Sequence, residues 1–148
     1  MIYWDTSALV PLLRDEPRTA SVRRLLEEDP AILVWWGAPV ECLAAIARCE
    51  QDGQVTRGEA DRARRHLHEL AGAWSEVLAG EQVREHAGRL LLRHRLRAGD
   101  ALQLAAALTW ARGRPRRHPF ATLDRRLADA ARGEGFSLVL PDAAAAPV

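Results

Sequence analysis

The stretch MIYWDTSALVPLL, residues 1–13, contains the pattern that decides the fold. Residues 1–4 are apolar and too few for a helix, which indicates a short buried strand, whereas residues 6–13 have the apolar content of a helix. Asp5 stands where the predicted strand gives way to the predicted helix. Because an open α/β sheet binds its ligands at the carboxyl ends of its strands, an acid at this junction is well placed to face a ligand.

Three more acids have the same placement. Glu41 lies in the first turn of the helix predicted after the apolar run 31–36. Asp100 opens the most hydrophobic helix of the chain, and Asp124 follows a short predicted strand. Acids at successive strand ends converge on one edge of a sheet, where they repel one another unless a cation lies between them. Mg²⁺ and Mn²⁺ prefer such oxygen ligands, so the pattern predicts one acidic site for metal-dependent phosphoryl-transfer chemistry.

Each of these acids also has an ordinary explanation when it is taken alone. Aspartate is a favoured residue immediately before a helix, which accounts for Asp5, Asp100 or Asp124 individually. Glu41 in a first turn complements the helix dipole. The whole set is harder to explain by capping, because a charge at the deep start of an apolar helix needs a partner or a metal.

The alternation of apolar strands and amphipathic helices predicts an α/β fold. We expect a single domain over residues 1–142, with a central, mostly parallel sheet of four to five strands flanked by helices, and a disordered tail at 143–148. The predicted strands are 1–4, 31–36, 74–78, 120–122 and 136–140. The predicted helices are 6–13, 17–29, 40–51, 56–70, 81–95, 101–110 and 125–132.

Composition narrows the possible functions. The 148 residues are enough for one domain with its own core, and the formal net charge of +1 gives no global attraction to nucleic acid. All 21 basic residues are arginine, so P-loop nucleotide sites and phosphoryl-accepting receiver sites, which need a lysine, are excluded. Cys42 and Cys49 are too far apart on one helix for a disulfide and are expected to be buried thiols. No signal-peptide layout or membrane-spanning run is present, so we expect a cytoplasmic protein.

Four motifs together resemble a known family, the PIN domain, and within it the VapC-type toxins. The motifs are Asp5-Thr6-Ser7 after a short strand, Pro39-Val40-Glu41, the run LRAGDALQLAAA at residues 96–107, and Thr122-Leu123-Asp124. The resemblance covers nearly the whole chain in order. It implies a Mg²⁺- or Mn²⁺-dependent endoribonuclease that cleaves RNA, forms a homodimer and is held inactive by a cognate VapB-like antitoxin.

The resemblance also implies roles for individual residues. Those matched to the metal-binding, catalytic acids of the family are Asp5, Glu41, Asp100 and Asp124. Thr6 and Thr122 correspond to polar neighbours of the site.

Two groups of arginines flank the acids in sequence. Arg95 and Arg97 precede Asp100, and Arg114, Arg116 and Arg117 precede the predicted strand before the fourth acid. They could hold RNA phosphates on either side of the site, since arginine makes bidentate contacts with phosphate. The alternative is that these arginines form a solvated face and bind nothing, in a chain whose basic residues are all arginine. A second alternative concerns the whole protein: a catalytically inactive PIN-like module that binds RNA or a protein.

Overall fold

A computed structural model describes residues 1–140, which fold around one five-stranded sheet. The strands are β1 (Ile2–Trp4), β2 (Ile32–Trp35), β3 (Ser75–Val77), β4 (Pro119–Ala121) and β5 (Ser137–Leu138). The helices are α1 (Thr6–Leu13), α2 (Thr19–Glu28), α3 (Ala38–Gln51), α4 (Arg57–Ala71), α5 (Glu81–Arg93), α6 (Ala98–Ala111) and α7 (Arg125–Glu134), with a short 3₁₀ helix at Pro115–Arg117. The tail predicted to be disordered, 143–148, lies outside the described residues.

The strand order in the sheet is β3-β2-β1-β4-β5, and every neighbouring pair is parallel. The predicted α/β class, with four to five mostly parallel strands, is thus confirmed. From β1 the chain moves outward to β2 and β3, then returns to place β4 on the other side of β1. This reversal between β1 and β4 is a topological switch point, where the carboxyl ends of the strands open a crevice.

Alternation along the strands divides the core into two layers. Ile2 and Trp4 point into a cluster built with α1 to α4, whereas Tyr3 points to the opposite face, among residues of α5, α6 and α7. Side chains of a strand alternate between faces, so even a three-residue strand serves both layers. Leu104 of α6 is fully buried in the second layer. The sheet is therefore covered on both faces, as a parallel sheet requires.

Some element boundaries and one burial state differ from the sequence predictions. Helix α6 begins at Ala98 instead of 101, because the residue before it, Arg97, has an extended backbone and acts as its N-cap. Asp100 therefore lies inside the first turn. Cys42 is buried as predicted, whereas Cys49 is only half-buried. Within residues 1–140, no helix has the length and apolar character needed to cross a bilayer.

Candidate active site

Asp5 follows the carboxyl end of β1 and is almost fully buried, with 4% of its surface exposed. Its Oδ2 accepts hydrogen bonds from the Ser7 backbone N–H at 3.1 Å, the Ser7 hydroxyl at 2.5 Å and the Thr122 hydroxyl at 2.9 Å. Asp5 therefore caps the start of α1 through Oδ2, as the capping explanation predicts. Within residues 1–140 every hydrogen bond to this carboxylate goes to Oδ2, which leaves the lone pairs of Oδ1 for another ligand.

Ser7 links the connection between β1 and α1 to the connection between β4 and α7. Its Oγ accepts hydrogen bonds from the backbone N–H groups of Leu123 and Asp124, at 2.8 and 3.1 Å. These two residues connect β4 to α7. A hydroxyl that donates to Asp5 and accepts from the β4–α7 connection holds two remote acids at one edge of the sheet.

Glu41 in the first turn of α3 has both oxygens held by neighbours. Oε1 accepts from the indole Nε1 of Trp35 at 2.7 Å, and Oε2 accepts from the hydroxyl of Thr6 at 3.1 Å and from Nε2 of Gln103 at 3.3 Å. A glycine is needed at Gly37 for this geometry, because a Cβ there would overlap the indole ring of Trp35. The turn between β2 and α3 is therefore shaped so that the tryptophan can reach the carboxylate.

Asp100 and Asp124 lie at the starts of two helices. Asp100 is half-buried in the first turn of α6. Asp124 is the N-cap of α7, and its Oδ1 accepts from the backbone N–H of Leu127 at 2.8 Å. Capping and a role in the site are compatible for Asp124, since capping uses one of its two carboxylate oxygens.

The electrostatics show that the four acids share one environment. Burial raises the pKa of the Asp5 carboxyl to about 6; the hydrogen bonds from Ser7 and Thr122 oppose the shift, and the negative charge of Glu41 adds to it. The pKa of Asp100 is raised by partial burial first, then by the charges of Asp124 and Glu41, while Arg97 lowers it. Each raised pKa therefore contains a contribution from another member of the set.

The donor chemistry fits a hard divalent cation, although the geometry is not that of a preformed metal site. Within residues 1–140, no group of three or more His, Cys, Asp or Glu side chains is already arranged to hold a metal ion. Carboxylates with nothing between them repel one another and stay apart. The hydrogen bonds that Asp5 and Asp124 accept from the described residues use one carboxylate oxygen of each, and the charge of Glu41 raises the pKa values of both Asp5 and Asp100, so a cation would relieve a repulsion that these acids share.

The two predicted arginine groups lie at different edges of the sheet. Arg97 precedes α6 and acts on the pKa of Asp100, so it lies beside the acids. Arg95 lines a neighbouring cavity of about 610 Å³ together with Arg126 of α7.

The arginines Arg114, Arg116 and Arg117 lie elsewhere. They precede β4, so they are at the amino-terminal edge of the sheet, about 10 Å of strand away from the acids that follow it. They share a cavity of about 520 Å³ with Glu134, at the far end of α7. The expectation that they flank the acidic site is therefore wrong, because residues that precede and follow a strand lie at its opposite ends. Their binding of RNA stays a prediction.

Sequence reasoning missed four polar side chains that shape the site, namely Tyr3, Ser7, Trp35 and Gln103. The signal for Gln103 was present, because it is the one amide in an otherwise apolar helical run at 101–108. A polar side chain on a buried helix face needs hydrogen-bond partners. Its partners are 100 and 62 residues away, so the sequence does not identify them.

Comparison with known proteins agrees with this geometry. The family model described as PIN domain matches residues 2–133. Ribonuclease VapC49 of Mycobacterium tuberculosis H37Rv is 34% identical over 108 residues, which cover 73% of this chain and 75% of that protein.

Two solved structures share the fold. FitAcB from Neisseria gonorrhoeae has a TM-score of 0.65 at 18% identity, covering 95% of this chain and 98% of that chain. A toxin-antitoxin complex from Klebsiella pneumoniae has a TM-score of 0.57 at 17% identity, covering 86% and 91%. These likenesses concern the fold, whereas the family assignment rests on the sequence matches. The chain belongs to the PIN domain family, and within it to the VapC type.

Proposed function

We propose that this protein is a divalent-metal-dependent endoribonuclease that acts as the toxin of a toxin-antitoxin system. The observation that carries the proposal is that acids at the carboxyl edge of the sheet act on one another: the charge of Glu41 raises the pKa of Asp5, and the charges of Asp124 and Glu41 raise the pKa of Asp100. Support for an action on RNA comes from the relative named Ribonuclease VapC49.

The proposed metal ligands are the carboxylates of Asp5, Glu41, Asp100 and Asp124. Bound Mg²⁺ or Mn²⁺ would supply Lewis-acid chemistry, lowering the pKa of a water and stabilising the leaving oxygen of a phosphodiester. The chain itself orients the ligands: Ser7 and Thr122 fix one oxygen of Asp5 and leave the other available.

Two arginines are proposed to position RNA beside these acids. Arg97 lies close enough to Asp100 to lower its pKa, and Arg95 lines the neighbouring cavity, so both could bind phosphates adjacent to the scissile bond. Positive charge beside an acidic site offsets the repulsion between carboxylates and RNA. We expect Arg97→Gln to weaken RNA binding and to reduce its dependence on salt concentration.

The proposed protein partners are a VapB-like antitoxin and a second copy of the chain. The similarity in fold to a toxin-antitoxin complex supports the first partner. Exposed apolar side chains support the second, since such surfaces commonly lie in interfaces. They include Trp36, Val40, Leu43, Leu78 and Leu92. Light scattering on the purified chain, and co-purification with the product of the neighbouring gene, test these two partners separately.

The function is tested by mapping the ends left on total RNA by the wild type and by two variants. Asp5→Asn removes a proposed ligand, and Asp15→Asn is a matched control because its side chain is 92% exposed. We expect Mn²⁺-dependent cleavage by the wild type and the control, and none by Asp5→Asn. Metal binding without cleavage of any RNA would favour the inactive binding module. Cleavage by Asp5→Asn equal to the wild type would overturn the proposed site.

A further inference from the structure

Gln103 is a fully buried amide in the middle of the apolar helix α6. Its Oε1 accepts a hydrogen bond from the phenol of Tyr3 at 2.9 Å. Its Nε2 donates to the hydroxyl of Thr6 at 3.0 Å and to Oε2 of Glu41 at 3.3 Å. The amide thus connects the tyrosine of β1 to a carboxylate at the candidate site.

The hydrogen bonds of this network all run in one direction. Tyr3 donates to Gln103, Gln103 donates to Thr6, and Thr6 donates to Glu41 at 3.1 Å. A carboxylate can only accept, so the opposite amide orientation would set Oε1 of Gln103 against Oε2 of Glu41. Tyr3 favours the observed orientation from the other side, because its hydroxyl supplies a donor to Oε1. Hydrogen bonds arranged in such a chain polarise and strengthen one another.

We propose that Gln103, held in orientation by Tyr3, is a positioning residue that fixes how Glu41 presents its carboxylate to the site. Glu41 has a long side chain, and Gln103 restrains Oε2 while Trp35 restrains Oε1 from β2. A carboxylate held at both of its oxygens has less freedom to lose when it binds a ligand. The kinetic consequence of this inference rests on the proposed nuclease function, whereas the orientation of Glu41 does not.

The orientation of the Glu41 carboxylate can be measured through Trp35, with neither metal nor RNA cleavage required. Its indole N–H bonds directly to Glu41, so the proton resonance of this group reports whether the carboxylate stays in place. Trp35→Phe assigns the resonance among the five tryptophans of the chain. We expect Gln103→Met, which preserves length but removes the amide, to move the indole resonance upfield as its hydrogen bond weakens.

Two further variants keep the test independent of folding defects. Tyr3→Phe removes only the hydroxyl that orients the amide, and should move the Trp35 resonance in the same direction by a smaller amount. Thr109→Val is the matched control, because Thr109 lies on the same helix and its hydroxyl bonds the backbone carbonyl of Ala105. The control should leave the resonance unchanged. A Trp35 resonance at its wild-type position in folded Gln103→Met and Tyr3→Phe would overturn the inference.

Kinetics and calorimetry then separate the inference from the proposed function. Loss of a residue that orients a ligand costs about 10- to 100-fold in metal affinity or activity. We expect Gln103→Met to lower Mn²⁺ affinity and kcat by about tenfold with an unchanged KM for RNA, and Thr109→Val to match the wild type. If the wild type cleaves RNA and Gln103→Met has wild-type Mn²⁺ affinity and kcat, the inference is overturned while the function stands. If the wild type cleaves no RNA, the proposed function fails, and the Trp35 resonance still decides the orientation of Glu41.

Discussion

Replacing Asp5 with asparagine should stabilise the metal-free protein at neutral pH. The buried carboxyl has a pKa of about 6, against 3.8 for an unperturbed aspartate. This difference in pKa means that ionised Asp5 destabilises the folded state by at most roughly 3 kcal/mol. Asparagine carries no charge, and its amide oxygen can accept the three hydrogen bonds that now go to Oδ2. Because some of those bonds weaken when the acceptor is neutral, we expect a net gain of about 1–3 kcal/mol.

The sign of the pH dependence follows from the raised pKa. Because the folded state binds the Asp5 proton more tightly than the unfolded state does, this proton stabilises the fold. The stabilisation is fully present below about pH 3.8 and is lost as the pH rises through about 6. The asparagine variant does not titrate at this position. The difference in the free energy of unfolding between the two proteins should therefore grow between pH 4 and pH 7 and then become constant.

Thermal and urea unfolding in EDTA, from pH 4 to pH 8, measure this difference directly. For a domain of this size each kcal/mol moves the melting midpoint by about 2–4 °C, so the variant should melt several degrees higher at pH 7.5. Asp15→Asn, at an exposed position, should change the midpoint little. An Asp5→Asn variant that is equal to or less stable than the wild type at pH 7.5 would refute the reasoning, since it would show that burial of the charge is not the dominant cost.

Three further predictions concern other parts of the molecule. Mn²⁺ at 100 times its dissociation constant should stabilise the wild type by about 2.7 kcal/mol and Asp5→Asn by much less; equal shifts in the melting midpoint would argue against a shared site. Gly37→Ala should lower both stability and RNA cleavage, because the new Cβ displaces the Trp35 indole from Glu41, and an unchanged indole N–H resonance of Trp35 would contradict this. Leu104→Asp should cost about 4 kcal/mol or more and leave little folded protein by circular dichroism, because it buries an unpaired carboxylate in the second core layer.

The sequence by itself determined the succession of the strands and the seven α-helices of the described residues, the position of Asp5, Glu41 and Asp124 at or near strand ends, and the position of Asp100 at a helix start. These features depend on signals that extend over a few residues. The apolar run of β1 stops at Asp5, which ends the strand. The side chains of Thr56 and Glu59 form a capping box at the start of α4. Such signals survive in the folded protein because strand length, helix periodicity and capping are local properties of the chain. The resemblance to a known family rested on the same local motifs, and the sequence matches confirm it.

Only the tertiary structure decided how these pieces meet. The parallel pairing of the strands aligns their amino-terminal ends, which sets Arg116 and its neighbours at the opposite edge from the acids, although the sequence places them just before Asp124. The network from Tyr3 through Gln103 to Glu41 joins three elements that are far apart in the chain. The burial that raises the pKa of Asp5 likewise depends on what packs around it. Contacts over such separations follow from how whole helices pack on both faces of the sheet, and no short stretch of sequence encodes that packing.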